Sequence, residues 1–173
     1  MRRITLATLI ALLFAAFTAT SAQAATIVDF SNAPSGAHFA QGASAPVCTY
    51  TGATTVSCTG TAIQGVGNTN AVVRLDVTAT FTGVCQNPGS KSKVVDPFTE
   101  AETTTSTATL TPSRNGRLDV GPRSATATTS GEFLADFTCP NPRWEADVTG
   151  TSISFRYTLT FAGEDDPAIL ITG

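Results

Sequence analysis

The side chains with the plainest chemistry are four cysteines. Two of them open a repeated Cys-x-Asn-Pro motif, Cys85-Gln86-Asn87-Pro88 and Cys139-Pro140-Asn141-Pro142, and the others are Cys48 and Cys58. With 9, 26 and 53 residues between successive cysteines, they lack the close C-x2-4-C pairs of a tetrathiolate metal site. An even count in an exported chain reads instead as two disulfides, with three possible connectivities. No metal and no cofactor are expected.

Groups for catalysis are sparse. His38 is the single histidine and lies in a Gly/Ala-rich stretch near the start of the chain. A Ser-His-Asp triad would have to use it, yet no Gly-x-Ser-x-Gly elbow surrounds any serine. There is no phosphate-binding glycine loop. Glu164-Asp165-Asp166 is the densest run of carboxylates. Paired carboxylates can hydrolyse glycosides and clustered ones can hold calcium, but this run has no spaced ligand pattern and reads as a solvated acidic turn. Glu100 and Glu102 read as solvent-facing. The expectation is a protein that is not an enzyme.

Residues 86–101 form a long connection without a clear pattern. They carry Lys91 and Lys93, the only lysines, with Val94-Val95 and Pro97-Phe98. Long loops in compact domains often carry function, so Lys91, Lys93 and Phe98 are candidate binding residues. Trp144, the single tryptophan, follows Arg143. The pair could offer a stacking platform to a sugar or aromatic ligand, or the indole could pack on a disulfide. Asn115-Gly116-Arg117 resembles an adhesion tripeptide, and a turn explains it without function.

The N-terminus sets the compartment. Arg2-Arg3, an apolar run over residues 4–17 and the small-x-small site Ala22-Gln23-Ala24 form a signal peptide over residues 1–24. The apolar run is too short to span a bilayer as a permanent anchor. The paired arginines hint at twin-arginine export, but Thr5 disfavours it and the general secretory route is expected. No cysteine near the cleavage site offers a lipid anchor. A secreted, extracellular protein follows, with one domain over residues 25–173 and residues 25–45 loosely ordered.

Removing residues 1–24 from the 173 leaves 149, with 13 acidic and 8 basic side chains, a net charge near −5. Nucleic acid and anionic lipid need clustered Lys and Arg, so neither is expected as a partner. Threonine occurs 31 times. It suits the solvent face of a strand; a glycosylated stalk would not need the alternation that follows.

Residues 73–85 alternate without a break. Val73, Leu75, Val77, Ala79, Phe81, Gly83 and Cys85 share one face, and Arg74, Asp76, Thr78, Thr80 and Thr82 the other. Residues 152–161 repeat this, with Ile153, Phe155, Tyr157, Leu159 and Phe161 inward, and Phe133, Ala135, Phe137 and Cys139 read as a third strand. Weaker strands are expected over 47–51, 54–63, 104–111, 117–120, 124–129 and 168–172. Asn115-Gly116 reads as a hairpin turn, Asn87-Pro88-Gly89 as a type II turn and Gly65-Val66-Gly67-Asn68 as a turn or bulge. About seven to nine strands with one apolar face each must cover that face. The fold class is therefore all-β, an antiparallel β-sandwich stabilised by disulfides, with a barrel as second choice. Phase favours Cys48–Cys58, stapling a hairpin, and Cys85–Cys139, each inward at a strand end. In the chain-entropy picture these closures contribute roughly 3 and 4 kcal/mol.

Gly65-Val66-Gly67-Asn68, Cys85-Gln86-Asn87-Pro88-Gly89, Asn115-Gly116-Arg117-Leu118 and Cys139-Pro140-Asn141-Pro142-Arg143-Trp144 together resemble a group of small secreted proteins of actinobacteria and related bacteria. The similarity covers residues 58–162. These proteins are of unknown function, so the resemblance implies export and a β-rich fold and brings no catalytic residue. The Cys48–Cys58 hairpin departs from the group. Enediyne-carrier apoproteins share the architecture but none of the motifs, and fold analogy does not give function. The leading expectation is a binding or structural module whose partner is a cell-envelope glycan or an extracellular protein. The alternatives are a carrier of a small apolar ligand between the sheets, an inhibitor of extracellular proteases, and a carboxylate-dependent hydrolase.

Overall fold

Alternation at period two calls for one covered face on each long strand, and the chain supplies the cover. A computed structural model describes residues 24–87 and 96–173; residues 1–23 of the expected signal peptide 1–24, and residues 88–95 with Lys91, Lys93 and the turn expected at Pro88-Gly89, lie outside the described residues. In chain order the elements are β1 (Ala25–Val28), β2 (His38–Phe39), β3 (Cys48–Tyr50), β4 (Thr55–Cys58), β5 (Thr61–Gln64), β6 (Ala71–Gln86), β7 (Asp96–Leu110), β8 (Leu118–Val120), β9 (Arg123–Thr126), α1 (Ser130–Asp136), β10 (Glu145–Phe161) and β11 (Ile169–Thr172). One antiparallel sheet runs β1-β11-β10-β6-β7. Two small sheets, β2-β5-β8 and β3-β4-β9, complete the fold.

β6 is the spine. Val73, Leu75, Val77, Ala79 and Phe81 are fully buried on its inward face. They form one cluster with Tyr157 and Leu159 of β10, Val56 of β4, Ile63 of β5 and Leu118 of β8. The long sheet thus lays one face on the two small sheets and leaves the other to solvent, a sandwich with no closed barrel. Fully burying aliphatic and aromatic side chains of this size contributes about 1.5–3 kcal/mol each.

Both disulfides are present. Cys48 and Cys58 are direct cross-strand partners of β3 and β4, with Cα atoms 4.0 Å apart. Cys85 and Cys139 are bridged with Cα atoms 5.9 Å apart.

Several elements differ from the sequence reading. Eleven strands are described where seven to nine were expected. The 54–63 stretch divides at Thr59-Gly60, with β4 and β5 in different small sheets. Residues 25–45 are not loose: β1 pairs with β11, and β2 with β5.

The largest difference is at Phe133, Ala135 and Phe137, which are helical or cap a helix. Thr129 caps α1 through a capping box: its hydroxyl accepts from the Glu132 N–H at 3.3 Å, and its own N–H donates to Glu132 Oε2 at 2.8 Å. Phe133 and Phe137, four residues apart, then share one helical face. Phe133 stacks on Phe81 with centroids 4.3 Å apart, and Phe137 lies 4.5 Å from Phe98. This docking brings Cys139 to Cys85, so the bridge forms through a helix and not between two strand ends.

Of the expected connection 86–101, Gln86 ends β6 and residues 96–101 are strand. β7 begins at Asp96, and Phe98 faces inward onto the rings of Phe133 and Phe137. A Cβ at Gly83, its partner on β6, would overlap the Phe98 ring, so glycine is what lets the ring lie across the sheet. Asn115-Gly116 is a turn, with Gly116 at φ 71°, but β7 and β8 do not pair with each other. The turn carries the chain from one sheet to another, and the Gly116 carbonyl accepts from the Val66 N–H at 3.1 Å. Two motifs distant in sequence are thereby joined.

Candidate functional site

The register of β7, β6 and β10 fixes what the uncovered face of the long sheet presents. Thr109, Val72 and Thr160 form one row across the three strands. The next rows are Thr107-Arg74-Thr158, Thr105-Asp76-Arg156, Thr103-Thr78-Ser154, Ala101-Thr80-Ser152 and Thr99-Thr82-Gly150, beyond which β10 bulges between Gly150 and Val148. Strands sit about 4.8 Å apart and like-facing residues about 6.7 Å apart along a strand, so the face is a lattice of hydroxyls.

Its only charges in these rows lie near the middle. Arg74 Nε donates to both oxygens of Asp76 at 2.8 and 2.7 Å, and Thr105 Oγ1 donates to Asp76 Oδ1 at 2.5 Å. Partial burial pushes the Asp76 pKa up. The bonds from Arg74 and Thr105 and the charges of Arg74 and Arg156 outweigh this and hold the carboxyl below its ordinary value. Asp76 is therefore an ionised strut that fixes Arg74, and it is engaged on both sides.

At the Thr109-Val72-Thr160 end the face deepens into a cleft of about 530 Å³. Asn70, Val72, Arg74, Thr109, Thr158, Thr160 and Glu164 line it. The side chains come from the start of β6, the end of β7, the end of β10 and the acidic turn after it. Val72 is 43% exposed and supplies a small apolar floor beside hydroxyl, amide, guanidinium and carboxylate groups. Such a mixture, a few fixed polar groups around an apolar patch, is the make-up of a small-molecule or oligomer subsite.

Two other clefts are described. One of about 480 Å³ is lined by Glu102, Thr104, Thr126, Ala127, Thr128, Glu132 and Asp136. It gathers carboxylates that sequence reasoning did not bring together. Glu132 does not suit a general acid, which needs a raised pKa. The backbone N–H and then the hydroxyl of Thr129 bond its carboxylate and hold it below the usual range. The other, about 340 Å³, is lined chiefly by Thr54, Thr128, Thr129, Ser130 and Thr151 with Ile153. Among the described residues no group of three or more His, Cys, Asp or Glu side chains could hold a metal ion. His38 is exposed in β2, its Nδ1 2.8 Å from the Gly36 carbonyl oxygen. Tyr157 is fully buried, and burial pushes its phenol up to about 12 although Arg123 pulls the other way. Its hydroxyl is not a base near neutral pH.

Of the candidate binding residues, Phe98, Arg143 and Trp144 fall at the other end of the sheet. Arg143 is exposed and Trp144 half-buried in a turn where Asn141 Oδ1 accepts from the Arg143 N–H and the Asn141 carbonyl accepts from the Trp144 N–H, both at 3.0 Å. The turn leads into Glu145, the partner of Gln86, so Arg143 and Trp144 sit beside the Gln86 end of β6. At about 3.4 Å per residue this turn lies about 50 Å along β10 from the Thr160 cleft. Phe98 belongs to the aromatic cluster under the sheet, so it does not stand free in a loop. The cleft was missed because its residues come from three segments whose register a sequence does not print; the outward Thr158 and Thr160 of residues 152–161 and the acidic turn with Glu164 were its legible signs.

These features define a class: a β-sandwich with two disulfides and one hydroxyl-bearing sheet face. Among the described residues no helix is long and apolar enough to cross a membrane, and two disulfides fit an oxidising compartment. The chain matches no protein-family model, no curated protein and no solved structure.

Proposed function

We propose that this protein is a secreted, non-catalytic binding module that holds a neutral, hydroxyl-rich polymer, a glycan of the cell envelope, on the outer face of its long sheet. The observation that carries the reading is the 530 Å³ cleft at the end of the hydroxyl lattice. A glycan offers dense donors and acceptors and no net charge. Thr109, Thr158 and Thr160 can both donate and accept, Asn70 adds an amide, and Arg74 and Glu164 add one donor-only and one acceptor-only group of opposite sign. Export is supported by the signal-type leader and the disulfides. Surface binding is favoured over an inter-sheet carrier because Phe81, Leu75, Leu159 and Phe161 fill the space a carrier would leave open.

The test is co-sedimentation of mature, oxidised protein with insoluble cell-wall glycans. Saturable pelleting is expected at low and at high salt, because no charge pairing drives it. The triple change Thr109→Val, Thr158→Val and Thr160→Val keeps β-branched shapes and removes three hydroxyls; it should weaken binding by at least about tenfold. Trp144→Ala should leave binding intact. Pelleting that ignores the threonine changes but is lost with Trp144→Ala would move the site to the opposite end of the sheet, and no pelleting at all would end the glycan reading.

A further inference from the structure

We infer that β7 is a pairing edge which joins two copies of this chain, antiparallel about a two-fold axis, into one continuous sheet. The long sheet has two edges, β1 with 4 residues and β7 with 15. An edge strand presents a row of unpaired N–H and C=O groups, and proteins blunt such edges with short strands, proline or charge. β1 is short. The first half of β7 carries Asp96, Pro97, Glu100 and Glu102. Residues 103–110, Thr-Thr-Thr-Ser-Thr-Ala-Thr-Leu, carry neither charge nor proline.

Among the described residues β8 and β9 of the small sheets pass close to β7, yet neither pairs with it. Among the described residues its backbone is bonded to β6 alone. Its inward residues Thr104, Ser106, Ala108 and Leu110 stay half-exposed, while their partners Val77, Leu75, Val73 and Ala71 on β6 are at most 1% exposed. A strand laid against β7 would bury the inward row and leave the outward hydroxyls in place.

The charge pattern selects a second copy as that strand. Faces are kept only when outward residues oppose outward residues. Centring the axis on Ser106 does this: Ser106 meets its own copy, Thr105 meets Thr107, Thr104 meets Ala108 and Thr103 meets Thr109. Glu102 then opposes Leu110, and no carboxylate faces another. An acidic edge would favour a basic strand; this one is neutral and self-complementary along residues 103–110. The hydroxyl face runs on unbroken across the axis, and a two-fold closes the assembly at two copies.

Only one strand pair is joined, so the contact falls below the size of a standard interface and a dissociation constant of roughly 10–100 µM is expected. Sedimentation velocity of the mature, oxidised chain should show monomer giving way to dimer across that range. Ser106→Lys sets like charges opposite each other at the axis and should weaken the dimer at least about tenfold. Ser106→Cys should give a covalent dimer on a non-reducing gel, and Ser152→Cys, exposed on β10, should not. A chain that stays monomeric through about 1 mM overturns the proposal. So does a dimer indifferent to both changes at Ser106. Should either variant misfold, amide exchange of the wild-type chain decides: residues 103–110 must gain protection as concentration rises.

Discussion

The two ends of the long sheet are held by different physics. Toward Ala71, the inward residues of β6 and β10 lie between sheets: Val73, Leu75, Tyr157 and Leu159 are fully buried against residues of both small sheets. Toward Gln86 the small sheets no longer reach. Inward positions on β10 such as Ala146 and Val148 are only half-buried there, and what covers β6 is one short helix, the rings of Phe98, Phe133 and Phe137 and the Cys85–Cys139 bridge. One end is stabilised by area removed from water. The other supplements a small cluster with a covalent tie. The cleft sits on the first kind of end and Trp144 on the second, so a rigid platform backs the proposed binding face.

The largest effect should come from cutting the tie. Replacing Cys85 and Cys139 together by alanine frees a sequence separation of 54 residues in the unfolded chain, worth about 4 kcal/mol in the chain-entropy picture. Urea unfolding should show this loss. Amide exchange should also rise first in residues 81–86 and 145–151, with 73–77 the last to open. Uniform exchange along β6 would mean that the two ends are one cooperative unit and that the contrast is false.

Leu75→Ala probes the sandwiched end. The side chain is fully buried between sheets that cannot easily collapse onto the space it leaves, and a loss of about 3 kcal/mol is expected. Exchange should then rise along the whole of β6, because the core it weakens is shared by all three sheets. A loss under about 1 kcal/mol would show that the small sheets close the gap and that this end is softer than its packing implies.

The same contrast explains what could be read in the sequence. The sandwiched end was legible because strict alternation over residues 73–81 and 153–161 has one structural meaning. Both disulfide pairings were expected: the first followed from its hairpin, while the second rested partly on a strand phase for Cys139 that the helix replaces, leaving only the inward phase of Cys85 behind it. The far end was not legible. Phe133 and Phe137 are four residues apart, a spacing that fits a strand and a helix equally, and the deciding signal was the Thr129-x-x-Glu132 box ahead of them. Pro97 and Glu100 made the start of β7 look like loop, because proline and charge on a strand are tolerated only at an edge. Of the candidate site, the outward threonines were visible as a solvent face. Their convergence with Asn70 and Glu164 was not, since it depends on the β6–β10 register and on the turn after β10.

The smallest effect tests how the helix at the weaker end begins. Thr129→Ala removes the cap hydroxyl and should cost about 1 kcal/mol. Glu132→Gln separates the charge from the shape. The bonds from Thr129 lower the Glu132 pKa in the folded chain, so the sign of its linkage follows: the carboxylate's contribution is complete above the ordinary glutamate value and fades as pH falls through the lower, folded value. The melting temperature of the parent chain should therefore exceed that of Glu132→Gln near neutral pH, and the gap should close on acidification. A gap that stays constant with pH would assign the effect to side-chain geometry and not to charge. A gap that widens in acid would contradict the capping box itself, because the ionised Glu132 accepts the N–H and the hydroxyl of Thr129 more strongly than its neutral form does.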